Sequence, residues 1–427
     1  MDLRVHDHPA LQEACRTSQS VVPLFVLDER FLAISPNRAR FLLEGLRDLD
    51  GELRRRFGRL IVRRGDPARL ALQLAREAGC ERPFVTGDVS ATARRRERAL
   101  MEAPGIDVRV FPGHAIVEPG VVAPTGSRAY RVFTPYHRAW AEAPRRAILP
   151  APSRVSVPDD IVSDPIPEPS SILVDATDLP PGGERPGRRH LDVFLRSNAS
   201  HYGDARDDLM ADATSRLSPY LRFGSVSAAE VELRAAEVPG AEPFIRQLAW
   251  RDFYLQLLAD DPRLAWQDLR PGPALELPML DTGHALKLWQ DGMTGLPLVD
   301  AGMRQLRREG WMHNRARMVV ASFLTRRLGI PWQEGAAHFA RDLVDGDPAN
   351  NAGGWQWTAG TGSDLRRGRT FNPVPQARRY DPSGDYVRRY VRELGDVPAP
   401  AIFGPWLQPA LLKSKGYPEP VVPVRVE

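Results

Sequence analysis

Between residues 21 and 113, four short runs rich in β-branched and other apolar residues alternate with stretches of helical periodicity. The runs are VVPLFVLD at 21–28, RLIVRRG at 59–65, RPFVTGD at 82–88 and DVRVFPG at 107–113. That alternation constrains the first part of the chain to an α/β layer, in which strands are joined by helical crossovers into a doubly wound parallel sheet. Between the first two runs, Ser35-Pro36 supplies an N-cap and first-turn pair. Phe41, Leu42, Leu46, Leu49, Leu53 and Phe57 then fall near one side of a helix that is predicted to pack on the sheet. From about 119 to 187 the chain is rich in Pro, Gly, Ser and Asp with little periodicity, which reads as a long connection with PPGGERPG as its most mobile part. After residue 188 the texture is helical, near 225–237, 240–259, 297–309, 313–328 and 333–344. The expected organisation is therefore an α/β domain over 1–118, a linker over 119–187 and an all-α domain over 188–427. The segment 346–380, with its Gly, Pro and Asn around Trp355, Trp357 and Phe371, reads as a loop of the kind that carries a site.

A chain of 427 residues exceeds what one core usually supports, in keeping with two domains. With 58 Lys and Arg against 54 Asp and Glu, an anionic partner is permitted only where the positive excess gathers on one face. Cys15 and Cys80 are the only cysteines, which excludes a disulfide scaffold and a cysteine metal cluster and agrees with a reducing compartment. No apolar run has transmembrane length, and MDLRVHDHP lacks the apolar core of a signal peptide. A cytoplasmic monomer without a membrane partner is expected.

Four motifs occur in order: TSRLSPYLRFG at 214–224, WRDFY at 250–254, GMTGLPLVDAGMRQLRREGWMHNRARMVVASFL at 292–324 and DGDPANNAGGWQW at 345–357. With them the chain resembles the photolyase/cryptochrome family, most of all its bacterial cyclobutane-dimer photolyases. The resemblance implies a helical domain that holds FAD in a U-shaped conformation. It also implies a reaction in which light-excited reduced FAD lends an electron to a cyclobutane pyrimidine dimer in UV-damaged DNA. The dimer is expected to flip out of the duplex, which is easiest for damaged, weakly stacked bases.

The same resemblance assigns residues. Tyr202, Thr214, Ser215, Arg216, Leu217, Ser218, Phe244 and Arg251 are expected at the cofactor, although the hydroxyls of Thr214, Ser215 and Ser218 can equally cap a helix and Arg251 can equally serve a surface salt bridge. Asn314 and Arg317 lie one helical turn apart and can share a cavity or a polar face. Arg317 is expected to pair with Asp345 beside the flavin ring, with Asp347 nearby and Asn351 next to flavin N5, where photolyases carry Asn. Gln247, Trp250, Asn314, Arg315 and Trp357 are expected at the lesion, the two tryptophans as aromatic walls. Trp311-Met312 favours the cyclobutane branch. Arginines across 366–392 form a candidate phosphate-binding face.

The chain departs from the family pattern in four places. Gln247 stands where a Glu is expected, so it can form hydrogen bonds but supplies no carboxylate. Phe244 replaces a frequent Trp. Trp355 and Trp332 match the first two members of an electron-relay triad, but Met279 stands in the third place, leaving Trp289 and Trp266 as candidate substitutes. The family motif resembling WFRRDLRVHD is represented here only from MDLRVHD, so the first strand is expected to be missing or compensated. A folate or deazaflavin antenna is left open for the same reason. A cryptochrome-like light sensor is the alternative function.

Overall fold

The computed structural model describes residues 2–272, 281–364 and 370–424. It divides into two compact units. The first comprises Met1–Val174, Pro180–His201 and Ser215–Arg263, and the second Asp175–Leu179, Tyr202–Thr214 and Leu264–Glu427.

In the first unit the four apolar runs form β1 (Leu24–Leu27), β2 (Ile61–Arg64), β3 (Phe84–Thr86) and β4 (Arg109–Phe111). β1 and β2 pair in parallel with Leu24 opposite Ile61, and β3 and β4 pair in parallel with Phe84 opposite Arg109. The crossover helix Pro36–Arg54 begins where Ser35 Oγ accepts the Arg38 N–H at 3.4 Å and Pro36 occupies the first turn. Phe41, Leu42, Leu46, Leu49 and Leu53 are buried along its inner face. Gross burial of five such side chains amounts to roughly 10 kcal/mol. Phe57, expected on the same face, is instead 77% exposed. The helix ends at Arg54 and Phe57 adopts φ +63°, so it no longer follows the helical period.

The residues that precede the helix Pro9–Thr17 are held from several directions. The guanidinium of Arg4, 2% exposed, donates to the carbonyls of Asp7 at 2.9 Å, Gly224 at 3.0 Å and Gly113 at 3.3 Å. Glu184 accepts the N–H groups of Val5 at 2.7 Å and His6 at 3.1 Å. Asp252, on the helix Glu242–Asp260, accepts from Ile116 N at 2.9 Å, Val117 N at 3.0 Å and Trp140 Nε1 at 3.0 Å. Satisfying buried donors in this way is what allows a carboxyl to sit in the interior. Burial pushes the pKa of Asp252 up to about 6, against the opposing charge of Arg251 and these hydrogen bonds. Within the stretch read as a connection, Phe133–Glu142 is a helix that buries Phe133, Tyr136 and Trp140, and the helix Glu184–Ser197 begins inside PPGGERPG.

The second unit is helical. Pro297–Glu309, Asn314–Ser322, Trp332–Asp342, Pro348–Ala359, Pro373–Tyr380 and Asp385–Tyr390 surround a core that includes Trp289, Leu306, Phe339, Trp355 and Tyr386. The stretch 346–380, read from composition as a loop, therefore contains two helices. Asp347 caps the first by accepting the Asn350 N–H at 2.8 Å, Pro348 opens it, and Gly360 closes it at φ +75°. Local caps and the burial of Trp355 outweigh the poor helix propensity of its Asn and Gly residues. No helix among the described residues is long and apolar enough to cross a membrane, and no group of three or more His, Cys, Asp or Glu residues among them could hold a metal ion.

Candidate active site

In the second unit, Arg317 lies on the helix Asn314–Ser322 and reaches Asp345 in the turn before Pro348–Ala359. Its two terminal nitrogens meet the two carboxylate oxygens at 3.2 and 2.8 Å, while its Nε donates to the Met312 carbonyl at 2.8 Å. This fork geometry fixes both partners. The Asp345 side chain is 3% exposed and that of Arg317 is 24% exposed. Asn314, at the start of the same helix, is exposed, with its amide nitrogen 3.6 Å from Met318 Sδ.

Asn351 sits one turn into Pro348–Ala359. Its Nδ2 donates to the Ala336 carbonyl at 2.9 Å, and its Oδ1 is an acceptor. Asp347 accepts from both the backbone and side-chain nitrogens of Asn350. Further along the helix Trp355 is buried, edge-on to Phe339 at 5.0 Å and to Trp289 at 6.1 Å between ring centroids. Trp357 is half-buried and lies 6.1 Å from Phe371.

Trp332 is buried and donates from Nε1 to Asp268 at 2.7 Å. Its neighbour Gln333 donates to the Trp266 carbonyl at 3.2 Å, and Trp266 is 53% exposed. Trp289 is 0% exposed, with its Nε1 donating to the Val320 carbonyl at 3.0 Å. Burial therefore removes Trp289 as a solvent-reachable end of a relay. Met279 lies outside the described residues.

Among the described residues of this unit, the polar side-chain atoms buried without a hydrogen-bond partner include Thr214 Oγ1, Trp355 Nε1, Thr361 Oγ1 and Ser363 Oγ. Orphaned buried donors and acceptors are rare in a finished core. Such atoms fit a unit that holds a polar cofactor, and Thr214 is one of the residues expected to do so. Tyr202 is buried, and burial pushes its phenol up to about 12.

Arg315, expected at DNA, forms an ion pair with Asp207 at 2.7 Å and lies over the Tyr380 ring at 4.3 Å, with its side chain 12% exposed. Its charge is thus used inside the protein. Of the arginines across 366–392, Arg378, Arg379, Arg389 and Arg392 are exposed, and Arg388 pairs with Asp385 at 2.7 Å. Arg366, Arg367 and Arg369 lie outside the described residues.

The remaining expected residues lie in the first unit. Ser218–Phe223 forms a short helix whose start has no side-chain cap, so the hydroxyls of Thr214, Ser215 and Ser218 do not serve as its N-cap. Ser215 Oγ accepts weakly from Leu217 N at 3.4 Å, Arg216 adopts φ +46°, and Leu217 is buried. Phe244 is buried against Phe194 at 4.6 Å. Gln247 is half-buried, with a weak 3.3 Å bond from Nε2 to the Pro243 carbonyl. Trp250 stacks on Phe133 at 3.8 Å with the planes 7° apart, and Arg246 lies 4.9 Å over the Phe133 ring. Sequence reasoning missed this aromatic support because Phe133 falls in the stretch read as a connection. Arg251 donates to the His114 carbonyl at 2.8 Å and lies 3.4 Å from Asp252.

Comparison with known proteins shows the family of the chain. Residues 1–155 match the family described as DNA photolyase, and residues 244–427 match the FAD binding domain of DNA photolyase. The deoxyribodipyrimidine photo-lyase of Streptomyces griseus is 48% identical over 432 residues, covering 99% of this chain and 94% of that protein. A bacterial class III photolyase from Agrobacterium tumefaciens superposes with a TM-score of 0.90 at 32% identity, over 99% of this chain and 92% of that one. A cryptochrome from Synechocystis superposes with a TM-score of 0.89 at 27% identity, over 99% and 95% respectively. The chain belongs to the DNA photolyase family, with an N-terminal parallel-sheet photolyase domain and a C-terminal all-α FAD-binding domain.

Proposed function

We propose that this chain is an FAD-dependent photo-lyase that splits cyclobutane pyrimidine dimers in DNA under blue light. The observation that carries the reading is the forked Arg317–Asp345 pair, almost buried on the carboxylate side, within the region matched by the FAD-binding family. A fixed pair of this kind provides a preorganised electrostatic environment for an anionic cofactor without a metal. When bound, reduced FAD supplies the light-activated electron that opens the dimer and recovers it afterwards, so repair has no net redox change.

The chain's own residues then have separate tasks. Asn351, turned by its bond to Ala336, presents an amide oxygen to accept a hydrogen bond. Thr214 offers an unpartnered hydroxyl for a polar ligand, and Tyr202, Ser215, Arg216, Leu217, Ser218, Phe244, Arg251, Asn314 and Asp347 complete the proposed cofactor set. Trp250, held flat by Phe133, and Trp357 provide aromatic surfaces against which an extruded dimer packs. Gln247 offers hydrogen bonds to the bases but no negative charge and no acidic proton. Because Arg315 is committed to Asp207, phosphate contacts fall chiefly to Arg378, Arg379, Arg389 and Arg392, which bind backbone charge rather than sequence.

The test is anaerobic illumination of thymine-dimer DNA with the purified, reduced protein. Light-dependent loss of dimers is expected, and persistence of dimers despite bound reduced FAD would overturn the reading. Gln247 favours the second reading, a light sensor with weak repair. Under that reading Gln247→Glu raises dimer splitting from a negligible level, whereas under the first the natural protein already repairs.

A further inference from the structure

Trp289, Trp332 and Trp355 belong to one core in the helical unit, but their indole N–H groups end differently. Trp355 Nε1 is buried without a hydrogen-bond partner among the described residues. Trp289 Nε1 donates to the Val320 carbonyl at 3.0 Å, and an amide oxygen accepts a hydrogen bond but is too weak a base to take the proton. Trp332 Nε1 donates to a carboxylate oxygen of Asp268 at 2.7 Å, at the short end of the range for such bonds.

Asp268 is not placed by this bond alone. The residues on both sides of it are held by Gln356, which donates from Nε2 to the Gln267 carbonyl at 3.1 Å and accepts the Leu269 N–H at 2.9 Å. Gln356 is buried and also donates to the Leu264 carbonyl at 2.8 Å. Gln333, on the helix Trp332–Asp342, holds the same segment through the Trp266 carbonyl. The carboxylate is therefore aimed at the indole in advance of any reaction. Asp268 is exposed, whereas Trp332 is 4% exposed. One side chain thus connects a buried indole nitrogen to solvent.

Trp332 and Trp355 are also neighbours. Gly335 lies one turn after Trp332 on the same helix, and a Cβ there would meet Cζ3 of Trp355 at 2.5 Å. An electron can pass between the two rings across this contact.

We propose that Asp268 is the proton acceptor for oxidised Trp332, so that this pair traps the positive charge left behind when light reduces an oxidised flavin. The inference rests on the reading of this unit as a flavin site served by Trp355 and Trp332. One electron leaves the Trp332 indole by way of Trp355 for the light-excited oxidised flavin, and an indole radical cation remains. Its N–H bond then breaks: the bonding pair stays on the nitrogen and the proton passes to Asp268, giving a neutral indolyl radical beside a neutral carboxyl. A radical cation of indole is a far stronger acid than indole itself, so a positioned carboxylate suffices as the base. Loss of the proton removes the charge that would draw the electron back. A one-electron donor in solution, such as a thiol, later returns the electron, and the proton comes back from Asp268 or water. Oxidised Trp355 and Trp289 have no base at their nitrogens and keep their protons, so charge on them moves on or recombines.

The test is flash photolysis of the FAD-loaded protein in its oxidised form, following the separate absorptions of the tryptophan radical cation and the neutral radical. Asp268→Asn is the main variant, because Asn retains an acceptor oxygen for the Trp332 N–H but supplies no base, and the Gln356 bonds hold its backbone. In the natural protein the cation should convert to the neutral radical, and more slowly in deuterated water. Asp268→Asn should slow the conversion by about a hundredfold, as expected for removal of a positioned general base, with loss of most of the long-lived radical. Trp266→Phe should leave the conversion in place, since the proton departs from Trp332. The proposal is overturned by conversion at the natural rate in Asp268→Asn, by the lack of a solvent isotope effect in the natural protein, or by loss of the neutral radical in Trp266→Phe. A flash that yields no tryptophan radical at all also overturns it. Dimer splitting is measured apart, with natural protein reduced beforehand, so failure of the repair reading and failure of this proton transfer appear in different assays.

Discussion

Gly335→Ala places two physical effects of known sign in opposition. Gly335 lies inside the helix Trp332–Asp342, where Ala is preferred over Gly by about 1 kcal/mol. A Cβ at this position would, however, sit 2.5 Å from Cζ3 and 2.6 Å from Cζ2 of Trp355, and closer still to Cη2. Carbon atoms make favourable contact at about 3.5 Å or more, so the intrusion approaches an ångström on a rigid ring. Trp355 cannot move freely, since Phe339 and Trp289 bracket it at 5.0 and 6.1 Å. Overpacking of this type costs about 1–3 kcal/mol and occasionally more, and the stiffness of an indole favours the upper end. The expected net destabilisation is about 2 kcal/mol, read as a lower midpoint in urea unfolding. A displaced Trp355 should also alter the rate at which light reduces the oxidised flavin. If Gly335→Ala raises the midpoint, helix propensity has prevailed and the assignment of Gly335 as the space that seats Trp355 is wrong.

The ion pair should respond asymmetrically: Arg317→Met removes the charge partner of a nearly buried carboxylate and is expected to cost about 3 kcal/mol or more, whereas Asp345→Asn leaves a guanidinium that still reaches solvent and should cost about 1 kcal/mol in the same unfolding assay. Burial raises Asp252 from 3.8 to about 6, so the folded state holds this proton more tightly. Its contribution to stability therefore falls as pH rises from about 4 to about 6, by about 3 kcal/mol, and is level above that range. Asp252→Asn should abolish this component of the pH profile, as measured by denaturant midpoints across pH 4–7. Reversing the charges of Arg378, Arg379, Arg389 and Arg392 to Glu should weaken binding to damaged and undamaged DNA alike and flatten the salt dependence, and an unchanged salt slope in a binding titration would reject that face. Trp266→Phe should slow light-driven flavin reduction by an external donor if the exposed Trp266 replaces the third relay position, while repair by protein that is already reduced should persist. Equal photoreduction rates in transient absorption would exclude Trp266.

Local signals in the sequence were sufficient for the elements that depend on local chemistry. Each apolar run contains its strand, and the Ser35-Pro36 pair starts its helix as such pairs do. The helix at 297–309 is bounded as expected, because Pro297 opens it and Gly310 closes it at φ +59°. Composition misled where a long-range partner decides the outcome. The Asn and Gly residues of 348–359 suggest a loop, but Asp347 supplies the cap and the core accepts Trp355. The helix Phe133–Glu142 was concealed in a Pro- and Gly-rich stretch because what stabilises it, including the bond from Trp140 to Asp252, comes from more than a hundred residues away. The same distance separates Glu184 from the Val5 and His6 amides it accepts, and no windowed pattern contains both.

Functional side chains divide along the same line. The Arg317–Asp345 pairing was legible because a motif carries both residues and a carboxylate–guanidinium fork has few alternative geometries. The Asp207 partner of Arg315 was not legible for the opposite reason. A positive charge inside a basic motif suggests phosphate, yet its worth to a ligand depends on whether the protein has already neutralised it, and Asp207 lies outside that motif. The relay tryptophans pose the same problem in terms of exposure. Trp289 and Trp266 are equal candidates as letters in a sequence, but the first has surrendered its N–H to Val320 inside the core, whereas the second lies open beside the segment that holds Trp332. Electron exchange with a donor in solution requires contact with solvent. The property that sorts these two indoles is therefore burial, which arises only when helices distant in sequence have packed.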